Sequence, residues 1–513
     1  MILENGVIRT LDHALPQAGA LAIAGELVTG GIGTHETALA SPDRVDLGGR
    51  CVLPGFTDSH VHFPTWALGQ RQVRLEGMQS LEEALARVRD AVASVPAGRW
   101  LRGLGWRSGD WAPPVEPTKE ALDSVTGDVP TALMARDYHS LWLNSAALAR
   151  ANGNLQVPRG VVERDEEGEP TGVLREECAW HFRDVYVRPT HDEMVAASRD
   201  GIRLANSRGV VAVHDKDGWL GALAVFQELQ REGALTLRVW QSLPHDHVDR
   251  LTEIGLSSGL GDGFLKAGYI KAFMDGTLGS QTARMLDGSG VEITSRAELE
   301  DIVRRSARAG FPVAVHAIGN LANREALDAF EATRDEWKTR GLRPRIEHAQ
   351  LVAPEDTSRF AELGVAASVQ FSHAPSDRDL ADRFWAELTP GAYAYRSLID
   401  AGTLLANGSD APIEELDPLA GIAAGVLRTT DDREAWHPEQ RITVEEAVHA
   451  TCVAPAWLEG AERRRGTLVP GRLADLVVLD RDPFECEPEE LPEVEVVATM
   501  AGGRWVHNPP PWD

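Results

Sequence analysis

His60 and His62 stand two residues apart at the end of an apolar run, Pro54-Gly55-Phe56-Thr57-Asp58-Ser59-His60-Val61-His62. On a β-strand, residues i and i+2 face the same side, so the two imidazoles aim at one point. A His-x-His pair alone is a weak metal signal. Three more polar groups, His316, His348 and Asp410, sit at or just after the ends of other apolar runs. Lys271 lies inside a further run, between Ile270 and Ala272. Each has an ordinary reading by itself: a hydrogen-bonded core histidine, a snorkelling lysine, a helix N-cap aspartate. Spread over five separate strands, they read together as a metal site. Neutral imidazoles and carboxylate oxygens suit Zn²⁺ or a similar first-row divalent ion. An ammonium cannot be a ligand, and a buried lysine costs several kcal/mol unless neutralised or paired. Carboxylation by CO₂ would make Lys271 a carbamate, an anion able to bridge two cations ~3.5–4 Å apart. The set therefore reads as a site for one or two divalent metal ions, with a carbamate on Lys271 as the bridge.

These residues need a scaffold that brings distant strand ends together. Eight apolar, β-branched strand candidates occur, at 52–62, 209–214, 237–241, 268–273, 311–316, 345–348, 365–369 and 403–410. Helical patterns between them include 296–309, 321–334 and 354–363. Eight strands with helical crossovers predict an α/β fold, a (β/α)8 barrel, whose strand C-terminal ends form the active-site face. About 145 residues separate the first strand from the second, too many for a structureless loop. A subdomain inserted at 70–190 is expected there. Both ends of the chain read as short strands punctuated by Asn-Gly and Gly-Gly turns. The simplest packing joins 1–53 and 466–513 as one composite β-domain beside the barrel at 54–465.

Composition narrows the function. The chain has 513 residues and carries 51 Lys+Arg against 78 Asp+Glu, a formal net charge of −27. Steering toward phosphate needs a basic face, so no nucleic-acid partner and no anionic-membrane partner is expected. Arg463-Arg464-Arg465 reads as a solvated helix end. The four cysteines form no CxxC and read as reduced thiols. The first residues carry Glu4 and Asp12 where a signal peptide would be basic and apolar. No apolar stretch of about 18 residues occurs. A cytoplasmic location is the expectation. A homodimer is allowed by these features and not required by them.

The opening motif at 54–62 resembles that of the amidohydrolase superfamily. Further stretches resemble its YtcJ-like branch, amidohydrolase family 3, which includes N-substituted formamide deformylase. They are Gly105-Trp106, Asn144-Ser145-Ala146-Ala147-Leu148, Pro170-Thr171-Gly172-Val173-Leu174-Arg175-Glu176, Asp275-Gly276-Thr277-Leu278-Gly279-Ser280, His316-Ala317-Ile318-Gly319, Arg345-Ile346-Glu347-His348-Ala349-Gln350 and Gly408-Ser409-Asp410-Ala411-Pro412. The stretch 469–480 is similar to the family's C-terminal β-region. The resemblance covers essentially the whole chain. It implies that His60, His62, Lys271, His316, His348 and Asp410 hold the metal-ligand positions, with Glu176 as a rival carboxylate to Lys271. In one place the sequence departs from the branch, which commonly reads His-Gly after the Arg-x-Asp segment: in Arg136-Asp137-Tyr138-His139-Ser140, Ser140 takes the glycine position.

The resemblance and the chemistry together imply metal-assisted hydrolysis of a non-peptide C–N bond. A metal-activated hydroxide attacks the carbonyl, and Asp410 carries the proton to the leaving nitrogen. His139 and His373 are candidates to steady the oxyanion. An esterase or lactonase would use the same hydroxide, and a catalytically silent scaffold would be expected to lack the ligands. Trp106, Trp111 and Trp142 divide between lining a substrate pocket and forming a subdomain core. If they line a pocket, the small-molecule amide-type substrate has an apolar or aromatic part. His214 reads as core or as support for the site, and His245 and His247 as solvated.

Overall fold

The computed structural model describes residues 1–29, 41, 43–96, 98–136, 138, 140–158 and 160–512. Contacts divide the chain into two compact units, one of residues 1–66 with 198–513 and one of residues 67–197.

The larger unit holds a nearly closed barrel of eight parallel strands in chain order. They are β1 (Phe56–Val61), β2 (Val210–Asp215), β3 (Arg238–Pro244), β4 (Leu265–Phe273), β5 (Val313–Ala317), β6 (Arg345–His348), β7 (Ala366–Val369) and β8 (Leu405–Asn407). All six residues of β1 and all six of β2 are buried. That is the pattern of parallel strands covered on both faces. At the seam between the last strand and the first, the Asp410 N–H donates to the His60 carbonyl at 2.7 Å. A Cβ at position 408 would lie 2.3 Å from the His60 nitrogen, so only glycine lets the seam come this close.

The helices that return the chain follow local signals. The helix Arg296–Arg308 begins with a capping box: Ser295 Oγ accepts from the Glu298 N–H, and the Glu298 carboxylate accepts from the Ser295 N–H. The helix Asn320–Ala332 overlaps the pattern expected at 321–334, starting one residue earlier, and Thr357–Leu363 falls within 354–363.

The sequence misleads at the first strand. The run 52–62 is not one strand but two. Cys51–Pro54 pairs antiparallel with Leu476–Leu479, outside the barrel. The chain then turns into β1 at Gly55, whose N–H donates to the Asp475 carbonyl at 3.0 Å. A Cβ there would meet Val211 at 2.5 Å. One apolar run thus serves two sheets, with Pro54-Gly55 as the break. The last strand is also shorter than 403–410, because the chain has left extended geometry by Asp410, where φ is 57°.

The second sheet of this unit has eight strands drawn from both ends of the chain. Met1's end supplies Ile2–Arg9, Gln17–Ala24, Leu27–Val28, Arg44–Asp46 and Cys51–Pro54. The other end supplies Leu476–Leu479, Val496–Ala501 and Arg504–His507. The smaller unit is built on a six-stranded sheet and buries its own apolar clusters. Among the described residues no helix is long and apolar enough to cross a membrane, and the four cysteines are unpaired.

Candidate metal centre

Strand ends place the predicted residues. His60 is in β1, and His62 follows it directly. His316 lies in β5 and His348 ends β6. Asp410 follows β8, and Lys271 is inside β4. Asp410 is the meeting point. Its Oδ1 lies 3.3 Å from His60 Nε2 and 3.7 Å from His62 Nε2. Its Oδ2 lies 3.9 Å from His348 Nδ1 and 4.0 Å from His373 Nε2. Two groups with metal-binding spacing result, His60–His62–Asp410 and His348–His373–Asp410. His316 belongs to neither group. It packs edge-on to His348, with ring centroids 4.5 Å apart, and donates Nε2–H to the Gly276 carbonyl at 3.0 Å, which leaves Nδ1 with its lone pair. His348 and Asp410 both have positive φ, 74° and 57°. Backbone held in that region is strained for non-glycine residues, and such strain gathers at functional sites.

The imidazoles are aimed by carboxylates behind them. His60 donates Nδ1–H to Glu347 Oε2 at 2.9 Å, and His62 donates Nδ1–H to Asp217 Oδ1 at 2.8 Å. Both thereby turn Nε2 toward Asp410, the carboxylate–histidine arrangement of metal sites. Asp217 is itself fixed by the Thr65 N–H and hydroxyl, at 3.0 and 2.7 Å. Asp58 ties the seam, accepting from the His60 and Ser409 N–H groups at 3.0 and 3.1 Å.

Burial decides the protonation states. It pushes His60 and His348 well below the usual imidazole range and His316 down to about 3, with the Lys271 charge adding to the effect. These three rings are neutral and able to ligate. On His62, burial is outweighed by Asp217 and Asp410, and the pKa rises. Burial pushes Asp410 up and Lys271 down to about 8. Lys271 Nζ is buried with no hydrogen-bond partner and sits 4.8 Å from the centre of the Phe273 ring.

Beneath the site runs a buried ionic chain that the sequence reading missed. Glu347 Oε1 lies 2.8 Å from both Lys216 Nζ and Arg345 Nε. Arg345 Nη1 donates to His214 Nδ1 at 2.9 Å, and His214 Nε2–H donates to Glu459 Oε1 at 2.9 Å. Glu459 closes the chain on Arg465 at 3.0 Å. Burial brings Lys216 down to about 7, with Arg345 adding to it. One signal could have found part of this chain: Asp215-Lys216-Asp217, three charges at and just after the end of the apolar strand β2.

The remaining predicted residues divide. His373 opens the helix His373–Phe384 and is buried beside the site. The Gln350 amide donates to its Nδ1 at 3.1 Å, which puts its proton on Nε2. His139 lies outside the described residues. Trp106, Trp111 and Trp142 lie in the smaller unit, where they pack on one another with ring centroids 6.1–6.4 Å apart. They are 3%, 2% and 0% exposed, which leaves little surface for a substrate to touch. Trp106 and Trp142 donate their indole N–H groups to the Leu133 and Thr118 carbonyls. Glu176 ends the strand Pro170–Glu176 of that unit with φ at 53°. His214 is core, bonded as above. His245 and His247 lie in a short 3₁₀ turn after β3, and neither is fully buried.

A nearly closed parallel barrel whose strand ends carry His and Asp around one point, with carboxylates behind the imidazoles, defines a metal-dependent hydrolase. Residues 43–507 match the amidohydrolase family, and the chain belongs to that family. It is 31% identical to LONG AFTER FAR-RED 3 of Arabidopsis thaliana, over 99% of this chain and 91% of that protein. It is 26% identical to the N-substituted formamide deformylase of Arthrobacter pascens, over 98% and 97%. Among solved structures, an uncharacterized metal-dependent hydrolase from Pyrococcus furiosus is similar, with a TM-score of 0.79 and 31% identity, over 94% of this chain and 99% of that one.

Proposed function

We propose that this protein hydrolyses a non-peptide C–N bond of the amide type in a small molecule, at a site holding one or two divalent ions. The carrying observation is Asp410, whose two oxygens each face a separate pair of imidazoles at 3.3–4.0 Å. The residues fit such ions. His60 presents a bare Nε2, His62 turns its Nε2 to the same carboxylate, His348 is neutral, and Lys271 Nζ is buried without a hydrogen-bond partner, which a carbamate would convert into an anion. His60, His62 and Asp410 would hold one ion, and His316, His348 and the Lys271 carbamate a second. The nitrogen-rich donor set favours Zn²⁺. When bound, such an ion polarises a carbonyl and makes hydroxide available at neutral pH.

The protein's own groups do the rest. Asp410, with its pKa raised by burial, accepts a proton and returns it to the leaving nitrogen. An amine leaves poorly unless protonated, so the reaction needs a proton carrier at this spot. His373, with its proton on Nε2, donates a hydrogen bond to the oxyanion. Glu347 and Asp217 keep the two β1 imidazoles turned toward Asp410.

The relative that is an N-substituted formamide deformylase puts N-substituted formamides first among the candidate substrates. The test is a hydrolysis screen over N-formyl, N-acyl, cyclic amide, carbamate and ester compounds with the metal-loaded protein. It is repeated after chelation and after return of Zn²⁺, Mn²⁺ or Co²⁺. Hydrolysis of an amide-type compound, lost on chelation and restored by metal, is expected. Turnover of esters alone, or amide hydrolysis by protein shown to be metal-free, would overturn the proposal.

A further inference from the structure

The barrel has a second opening at the N-terminal ends of its strands, opposite the end that carries His60, His348 and Asp410. A small solvent-open depression lies there, and its lining includes Arg238, Trp240, Lys266, Glu459, Arg464 and Arg465. Four cations and one carboxylate face this space in a chain whose net charge is −27.

The carboxylate is already engaged. Glu459 Oε1 accepts from His214, and both its oxygens accept from Arg465 Nη1 at 3.0 and 3.1 Å. Arg238 is fixed by Asp475 at 2.7 and 2.9 Å, and Arg465 also donates to the Thr57 hydroxyl at 2.6 Å. Lys266 and Arg464 have no side-chain ion pair or hydrogen bond among the described residues. The Trp240 indole N–H is buried and has no partner, and the residue is 5% exposed.

The groups left over are an ammonium and a guanidinium. Both are donors, and neither can accept a hydrogen bond. The complementary ligand is a pure acceptor with negative charge. We propose that this depression is a binding site for a small oxyanion, a phosphate or a carboxylate, separate from the hydrolytic centre. Lys266 and Arg464 supply the charge, beside the guanidinium groups of Arg238 and Arg465 that Asp475 and Glu459 already fix in place. Burial and the neighbouring cations already hold Lys266 below the usual lysine range, in line with a site where one more negative charge is favourable.

The test is calorimetric titration of inorganic phosphate, and in a second arm acetate, into the metal-loaded protein, with ionic strength held constant by NaCl. A saturable component is expected with at least one of the two anions. It should weaken about tenfold or more in Lys266→Met and in Arg464→Met, the loss of one charge-assisted hydrogen bond. Hydrolytic activity should be unchanged in both variants. Arg464 is exposed and unpaired, so Arg464→Met keeps the fold even if Lys266→Met does not. Asp410→Asn separates the two sites, because phosphate held at the metal centre would be lost there while this component stays. No saturable component with either anion, or one that survives both methionine variants and disappears in Asp410→Asn, would overturn the proposal.

Discussion

Glu347→Gln is the most informative single change. Glu347 is fully buried, and its carboxylate meets three partners: Lys216 Nζ and Arg345 Nε at 2.8 Å, and His60 Nδ1 at 2.9 Å. The glutamine fills the same volume and keeps one oxygen, so packing is preserved and only the charge is lost. Arg345 is then left buried with no counter-ion, and Lys216, already down to about 7, must stay charged without a partner or give up its proton. Removing one partner of a buried ion pair costs about 3–5 kcal/mol. The amide also holds the His60 ring less firmly, and losing such a partner behind a metal ligand lowers metal affinity about 10–100-fold. Urea unfolding of the metal-free protein measures the first effect, and competition with a chromophoric chelator measures the second. A double variant, Glu347→Gln with Lys216→Met, removes one of the stranded cations and should recover part of the lost stability while leaving the metal affinity low. If Glu347→Gln unfolds at the same urea concentration as the parent and binds metal as tightly, the buried chain does not support the site. If the double variant is no more stable than the single, the cost is not one of stranded charge.

Other outcomes follow from the same geometry. Asp410→Asn should keep the circular-dichroism spectrum while lowering kcat by about 10²–10⁴-fold, the usual worth of a positioned proton carrier; near-parental turnover would remove Asp410 from the reaction. The Asp475–Arg238 pair should give an acid-sensitive share of stability. Burial opposes the Asp475 charge, but Arg238 outweighs it and holds the carboxyl below its usual range. Its stabilisation is therefore full above the unfolded-state pKa, about 3.9, and is lost as pH falls below it. Asp475→Asn should cost about 3–5 kcal/mol in urea titrations at pH 7, and the gap to the parent should narrow below about pH 4; a gap independent of pH would contradict this. Trp106→Ala should destabilise the protein by about 3–5 kcal/mol by opening a cavity beside Trp111 and Trp142. A fall in kcat/KM with unchanged stability would instead make Trp106 a substrate contact.

The residues that gather around Asp410 stand out in the sequence because each sets an improbable polar type in or beside a buried strand. His316 and Lys271 interrupt apolar runs, Val313-Ala314-Val315 and Tyr269-Ile270, while His60 and His348 close strands, and Asp410 follows one, after other polar residues. The residues that aim them do not. Glu347 is adjacent to His348 in sequence, yet it serves His60, a ring 287 residues away. Arg345 and Lys216 read as ordinary charges until the barrel closes around them. The first strand was over-extended for a related reason: apolar alternation continues across Gly55 although the hydrogen-bonding partner changes there from Leu476–Leu479 to β2. Periodicity reports which side chains are buried, and it says nothing about which neighbour buries them. The tryptophans show the same limit, since their abundance could signal a pocket or a core, and only their mutual packing tells the two apart.

The pairing of Cys51–Pro54 with Leu476–Leu479 has a consequence for how the protein is made. A ribosome delivers the first of these segments long before the second. At about 5–20 residues per second, the early strand waits on the order of 20 to 80 seconds with one edge bare. The catalytic seam waits almost as long, because His60 emerges early and Asp410 late. The nascent chain therefore carries an open β edge and unsupported imidazoles through most of its synthesis, and its need for protection from aggregation is greatest before it can bind metal at all.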